Sequence, residues 1–277
     1  MKPAPFAYER PRDVASALAA MAGDGVIKIM AGGQSLGPML NLRLVAPDTI
    51  VDITGLAELK HVEVAGDELV IGACVTHADI EDGRIPDVTR GAMQRVASAI
   101  AYRAVRNRGT VGGSLSHADP SADWVSTFAA LGATLSLRSA SGARRVAMKD
   151  FMLGALESVL QPGEMLEAVR VPAMSRSARW GYVKSCRKTG EFAHAIGAVL
   201  INPEAGRARI VIGAVEAAPI IVENAEELFG GRITSDFKSR FDARVADTLL
   251  SKAGMADAAD RHIHVTILRR AVAEAAA

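Results

Sequence analysis

Ala31-Gly32-Gly33-Gln34-Ser35-Leu36 and Thr110-Val111-Gly112-Gly113-Ser114 decide how this chain reads. Each stretch follows a segment with an extended pattern, and each leads towards a helix. A Gly-Gly pair carries no Cβ, so its backbone can take positive φ and come close to a neighbour. Successive N–H groups at such a bend, or at a helix N-terminus, can hold a phosphate. Two bends of this kind in one chain suit a ligand with two phosphates and a long polar tail.

The segments around the first bend form a small α/β unit. Phe6 to Glu9 reads as a strand, and Asp13 as the N-cap of a helix through Met21, ended by Gly23 and Gly25. The apolar run Val26 to Met30 predicts a buried strand that feeds the bend, and Thr49 to Ile53 predicts another. Ser35 is placed to cap the helical turn that follows, where Pro38 is tolerable. Around the second bend, Glu68 to Ala73 and the region near Val75 read as strands, and Asp87 to Ala101 as a helix. Asp119 is expected to cap a helix with Pro120 at its first position and Ala122, Val125, Phe128 and Ala129 on its apolar face. Thr134–Arg138 and Arg144–Ala147 predict a hairpin about Ser141-Gly142, and Gly163 to Pro172 a turn and strand. Beyond Ser175, Trp180–Cys186, Ala195–Ile201 and Ala208–Val215 read as three strands. Helical segments follow at about Val222–Leu228, Phe237–Ala253 and Asp257–Ala275. Strands followed by helices predict an α+β arrangement in this last part.

Composition narrows the function classes. The 277 residues are 49% hydrophobic but only 4% aromatic, so the core is built of Ala, Val, Leu and Ile. A net charge of +1 leaves no electrostatic footprint for nucleic acid. Two cysteines, Cys74 and Cys186, read as free thiols and are too few to hold an iron–sulfur cluster alone. The N-terminal residues have no apolar h-region and no stretch is long enough for a membrane span, so a cytoplasmic location is expected.

Rival motifs fail on spacing. Gly32, Gly33 and Gly37 miss the G-x-G-x-x-G pattern, and Pro38 stands where a P-loop needs lysine. His117 and Asp119 have no further ligands at metal-binding spacing, so no metal site is expected. Arg103, Arg106 and Arg108 form a basic cluster that reads either as a solvated loop or as charge facing a phosphate or a partner. His262 and His264 read as a solvated helix face. No nucleophile–base constellation emerges, and no catalytic residue is assigned.

Taken in order, these motifs resemble a known family along almost the whole chain. They include Phe6-Ala7-Tyr8, the first bend, Asn41-Leu42-Arg43, Val51-Asp52-Ile53, Ile71-Gly72-Ala73 with Thr76-His77, and Arg106 to Ser114. His117 to Asp123, Arg187-Lys188-Thr189-Gly190 and Gly213-Ala214-Val215 complete the set. The chain resembles the FAD-binding medium subunit of molybdenum hydroxylases of the carbon monoxide dehydrogenase and xanthine dehydrogenase type. The resemblance implies an α+β fold. Its two-part N-terminal FAD-binding α/β region, of the p-cresol methylhydroxylase type, spans residues 1–54 and 55–174. A C-terminal antiparallel sheet with helices occupies residues 175–277.

The resemblance also implies the site. Ala31, Gly32, Gly33, Gln34 and Ser35, with Thr110, Val111, Gly112, Gly113 and Ser114, would line the FAD pyrophosphate through backbone N–H groups and hydroxyls. Ile29, Met30 and Leu36 flank the first bend. Ile100 would pack on the flavin ring, Asp123 would bond a polar part of the cofactor, and Leu166 and Lys184 would supply main-chain and polar contacts. Phe192 falls where relatives carry an aromatic near the ring. The extra cysteines of the benzoyl-coenzyme A reductase type are missing. The implied function is electron transfer: a molybdenum cofactor on a large subunit and [2Fe–2S] clusters on a small subunit would feed the FAD held here. A dimer of such heterotrimers is the implied assembly. Substrate and electron acceptor stay open. The alternatives are a stand-alone flavin oxidase and a non-redox interaction subunit.

Overall fold

The computed structural model describes residues 2–277. The first stretch of chain makes a three-stranded parallel sheet from β1 (Ala7–Glu9), β2 (Ile27–Met30) and β3 (Thr49–Asp52), in the order β1-β3-β2. Parallel neighbours need crossovers, and the helices α1 (Val14–Met21) and α2 (Leu36–Asn41) supply them. Asp13 starts α1 as expected. Its carboxylate accepts from the Ser16 N–H at 2.7 Å, in a reciprocal capping box. Ser35 is a correction: its side chain makes no capping bond to α2.

The second sheet is antiparallel. It contains β4 (Val62–Ala65) and β5 (Glu68–Gly72). Helices α3 (His77–Glu81), α4 (Ala92–Ala99), α5 (Arg103–Arg106), α6 (Val111–His117) and α7 (Asp123–Leu131) follow. The hairpin β6 (Thr134–Ser139) and β7 (Gly142–Ala147) pairs about Ser141-Gly142 as expected. After a small hairpin of β8 (Met152–Gly154) and β9 (Glu157–Ser158), β10 (Met165–Pro172) inserts between β5 and β6.

Several expectations here need correction. The Val75 region is not a strand; Thr76 makes one isolated bridge to Thr110 and then caps α3. The helix expected from Asp87 begins only at Ala92. The Asp87 carboxylate instead accepts from the Thr89 and Gly91 N–H groups, and Arg90 and Gly91 take positive φ. The Asp119 carboxylate caps a turn, accepting from the Ser121 N–H at 2.8 Å, and α7 starts later, at Asp123.

The third sheet is an antiparallel meander of β11 (Arg179–Ser185), β12 (Ala195–Asn202), β13 (Arg207–Gly213) and β14 (Ile220–Val222). The β-branched run Ile220-Ile221-Val222 joins the sheet edge, so Val222, expected to open a helix, ends a strand, and of the helix expected over Val222–Leu228 only a short 3-10 turn remains at Glu226–Phe229. The helix expected over Phe237–Ala253 breaks in two: α8 (Phe237–Arg240) and α9 (Ala243–Lys252), the latter capped by Asp242. The long α10 (Ala258–Ala275) lies across β11 and β12. Glycine permits that contact: a Cβ on Gly197 would stand 2.9 Å from the Leu268 Cα. His264 is buried rather than solvated, with ring nitrogens 2.9 Å from the Asp260 carbonyl oxygen and 3.2 Å from that of Ala214.

The sheets are separate but their cores are not. Trp180, Ala198 and Val211 of the third sheet pack in one cluster with Trp124, Phe128 and Phe151 of the second part. Leu59, Cys74 and Met165 pack with Val14, Ala17 and Val51 of the first. Both cysteines are free, as expected. Among the described residues, no helix is long and apolar enough to cross a membrane.

Candidate functional site

The two bends meet. The first leaves β2 at Ala31 and enters α2; the second follows α5 and enters α6. Gly32 packs directly on the second bend: a Cβ there would fall inside the Arg108 carbonyl and stand 2.8 Å from the Gly109 Cα. A Cβ on Gly113 would stand 3.6 Å from the Ala31 Cβ. Residues some 80 apart in sequence are thus joined backbone to backbone, which only glycine allows.

The two bends differ in what their amides do. Among the described residues, the N–H groups of Gly32, Gly33, Gln34, Ser35 and Leu36 donate to no protein acceptor, while Gly33 holds φ at +70°. In the second bend the four N–H groups from Val111 to Ser114 are taken, and only that of Thr110 is not. Val111 N–H donates to the Val75 carbonyl, Gly112 to Ala73, Gly113 to the Thr110 hydroxyl and Ser114 to the Thr110 carbonyl, all within 3.0 Å. This corrects the expectation that residues 110–114 offer amide hydrogens to a ligand for all of them but Thr110. The second bend is a rigid support fastened to the end of β5, and what it presents is the Ser114 side chain and bare Gly113 backbone.

A cavity of about 520 Å³ lies along this seam. It is lined by Ile29, Ala31, Gly32, Gly33, Gln34, Ser35, Leu36, Ile100, Thr110, Gly112, Gly113, Ser114, Asp123, Leu166 and Phe192. Three expected residues stand off it. Met30 sits within the parallel ladder opposite Asp52, Val111 is wholly buried in the main core, and Lys184 turns to Asp123. Phe192 is 73% exposed and Tyr102 53% exposed, and both line the cavity. Gly190, at φ +89°, also lines it; a Cβ on it would be 2.9 Å from both the Ala101 carbonyl oxygen and the Tyr102 ring.

Asp123, the first residue of α7, is only 8% exposed. Its Oδ1 accepts from the Tyr182 hydroxyl at 2.7 Å and from the Lys184 ammonium at 2.8 Å. Lys184 also donates to the Ala99 carbonyl at 2.9 Å, tying α7 to the end of α4 beside Ile100. Burial, then the charge of Asp123, pushes the Tyr182 phenol well above its ordinary value, so it remains a donor. Sequence reasoning missed Tyr182. The signal was the i, i+2 spacing of Trp180, Tyr182 and Lys184 on one face of a strand.

His77 was also missed as a site residue. It heads α3, lines the cavity and accepts the Trp124 indole N–H on Nδ1 at 3.0 Å. Burial, helped by the Arg106 charge, lowers its pKa to about 4, so the ring is neutral at pH 7. The basic cluster divides: Arg108 is exposed and Arg103 half-exposed, as a solvated loop predicts, whereas Arg106 is turned inward. Arg106 pairs with Glu81 at 2.7 Å and donates to the Ile100 and Ala101 carbonyls, and Arg103 pairs with Glu81 and Asp82. The work of Arg106 is internal: it holds the turn at Ala101, where φ is +42°. Among the described residues no group of three or more His, Cys, Asp or Glu is gathered closely enough for a metal.

Residues 4–174 match the family described as FAD binding domain in molybdopterin dehydrogenase. Over 295 aligned residues the chain is 32% identical to caffeine dehydrogenase subunit beta of Pseudomonas sp. strain CBB1, covering 97% of this chain and all of that one. Its fold is similar to that in carbon monoxide dehydrogenase from Hydrogenophaga pseudoflava lacking the Mo-pyranopterin moiety of the molybdenum cofactor. That likeness has a TM-score of 0.88 and 31% identity, and covers 99% of this chain and 98% of that one. It is also similar to quinoline 2-oxidoreductase from Pseudomonas putida 86, with a TM-score of 0.86 and 32% identity over 100% and 98% of the two chains.

Proposed function

Since the chain belongs to the FAD-binding family of the molybdopterin dehydrogenases, we propose that it is the electron-transfer medium subunit of a heteromeric molybdenum hydroxylase. In this reading it receives electrons from [2Fe–2S] clusters on a small subunit and passes them to an external acceptor, while a large subunit holds the molybdenum cofactor and the substrate. A dimer of heterotrimers and a cytoplasmic location belong to the same proposal. So does a division of labour among residues 1–54, 55–174 and 175–277, which is supported by each sheet closing within one of these stretches.

The observation that carries the proposal is the seam between the bends, with five consecutive N–H groups lacking protein acceptors on residues that line a long cavity. The residues fit a flavin dinucleotide. Unpaired amides at Gly32 to Leu36 suit a diphosphate. Asp123 offers a buried anionic acceptor to hydroxyl or N–H groups, and Ile100, Leu166 and Phe192 give apolar surface for a ring. The flavin would supply the exchange between two-electron and one-electron transfer.

The chain's own residues would bind and orient. The first bend would hold the diphosphate through N–H donors, and Ser114 would add a hydroxyl from the second. Asp123 would fix the polar tail or ring edge. Arg106 would keep the Ile100–Ala101 wall in place through its two carbonyl contacts. No residue is asked to move a proton in substrate turnover. The test is purification of the chain with its co-purifying subunits. An absorption band near about 450 nm, FAD in the supernatant after acid precipitation, and molybdenum and iron in the complex are expected. A complex that takes up no flavin on reconstitution overturns the proposal.

A further inference from the structure

The third part of the chain lends Gly190, Glu191 and Phe192 to the cavity, and its sheet braces one wall residue, Asp123, from outside the lining. Tyr182 and Lys184, two residues apart on β11, project from the same face of the strand towards the N-terminus of α7. Both donate to the same atom, Asp123 Oδ1. Asp123 Oδ2 accepts from no described residue, is not sealed off, and belongs to a residue of the cavity wall. The Tyr182 ring is itself stacked on Trp180, with centroids 6.4 Å apart and planes 6° from parallel. The Glu274 carboxylate of α10 accepts from the Tyr182 N–H at 3.2 Å, and the Ala99 carbonyl holds the Lys184 ammonium. Both protein donors to the carboxylate are therefore held in place on one oxygen, and the other keeps room for a partner on a residue that lines the cavity.

We propose that Tyr182 and Lys184 are a positioning pair: by saturating Asp123 Oδ1 they turn the carboxylate into a one-sided acceptor whose Oδ2 receives an N–H or O–H donor of the bound FAD. A carboxylate with both oxygens free could rotate and would bind a ligand donor less well, because its orientation would have to be fixed on binding. The pair is neither surplus charge nor mere packing. A buried carboxylate needs partners, and here both protein partners crowd onto one oxygen, leaving the other for the ligand.

The inference rests on the reading of the cavity as an FAD site, and a double-mutant cycle on FAD affinity separates the two. The full chain is stripped of flavin, and FAD is titrated back with fluorescence quenching as the readout. Asp123→Ala and Tyr182→Phe should each weaken binding roughly tenfold, the loss of one charge-assisted hydrogen bond. Tyr182→Phe in the Asp123→Ala background should weaken it no further, within about twofold. A purely structural tyrosine would lose the same factor in both backgrounds, so multiplying losses overturn the inference. Melting of the flavin-free variants checks folding. Should Tyr182→Phe fail to fold, Lys184→Met removes the other donor to Oδ1 and must show the same non-additivity. Wild-type chain that binds no FAD refutes the site itself. Wild type that binds, with Asp123→Ala weakened and both positioning variants unaffected, refutes only the positioning role.

Discussion

Gly32→Ala separates two reasons for which a glycine can be required at a cofactor bend. If glycine serves only to let a phosphate approach, alanine should damage FAD binding and leave the flavin-free protein untouched. The structure gives Gly32 another task. The added methyl would overlap the Arg108 carbonyl and lie 2.8 Å from the Gly109 Cα, against a comfortable carbon–carbon separation of about 3.5–4.0 Å. Both obstacles are backbone, and Gly109 is itself pinned by its N–H bond to the Val105 carbonyl at 2.7 Å. The bends must therefore part by roughly 1 Å, and overpacking of this kind costs about 1–3 kcal/mol. At about 2.1 cal/mol/K per residue, 277 residues unfold with an entropy near 0.6 kcal/mol/K, so the Tm of flavin-free protein should fall by about 2–5 °C. Gly33→Ala is the internal comparison. Its new methyl meets only the flexible Met30 sulfur at 3.7 Å, leaving the left-handed backbone, φ +70°, as the penalty, about 1 kcal/mol. Differential scanning calorimetry of stripped protein reads both. An unchanged Tm for Gly32→Ala together with lost FAD binding would refute this account and restore the simpler one.

Two further outcomes follow from groups behind the cavity wall. Arg106, with an 11% exposed side chain, should matter far more than Arg103 at 45%: Arg106→Ala leaves Glu81 with only the half-exposed Arg103 and frees the strained Ala101 turn, costing about 2 kcal/mol, whereas Arg103→Ala should cost much less, both by urea unfolding at pH 7. Equal losses would show that the contacts to the Ile100 and Ala101 carbonyls carry no weight. His77 has a folded pKa near 4, below its ordinary 6.5, so the unfolded chain takes up its proton first as pH falls. Its contribution is complete above about pH 6.5, declines by up to about 1.4 kcal/mol per pH unit down to pH 4, and then levels off, about 3 kcal/mol in all. His77→Gln should flatten this part of the stability–pH curve; an unaltered slope assigns it to other groups.

What the sequence could and could not tell divides along the distance over which each signal acts. Asp13 with Ser16, the Ser141-Gly142 hairpin and Asp257 ahead of the long helix are contacts within a few residues, and each was readable. The α6 helix was not, because Gly112-Gly113-Ser114 has poor helix propensity. What holds it is the Gly112 N–H on the Ala73 carbonyl and the close seat of Gly112 on Ala73, both long-range. Asp119 and Asp123 each had the chemistry of a first-turn acid, and only the turn at Ser121 decides which one opens α7. In the cavity, the glycine bends were legible as bends, but their meeting was not. The same holds for Tyr182, whose bond to Asp123 spans 59 residues. The inward role of Arg106 was hidden because its partner Glu81 closes a short helix that leaves little trace in the pattern.

The unequal state of the two glycine bends has a consequence for solvent deuterium. In stripped protein the amides of Gly32 to Leu36 have nothing but water to bond, whereas those of Val111 to Ser114 are locked to carbonyls and a hydroxyl. The first set should label within seconds and the second over much longer times, and loading with FAD should erase most of that contrast by slowing the first set alone. One half of this cradle is finished when the chain folds; the other stays wet until its guest arrives.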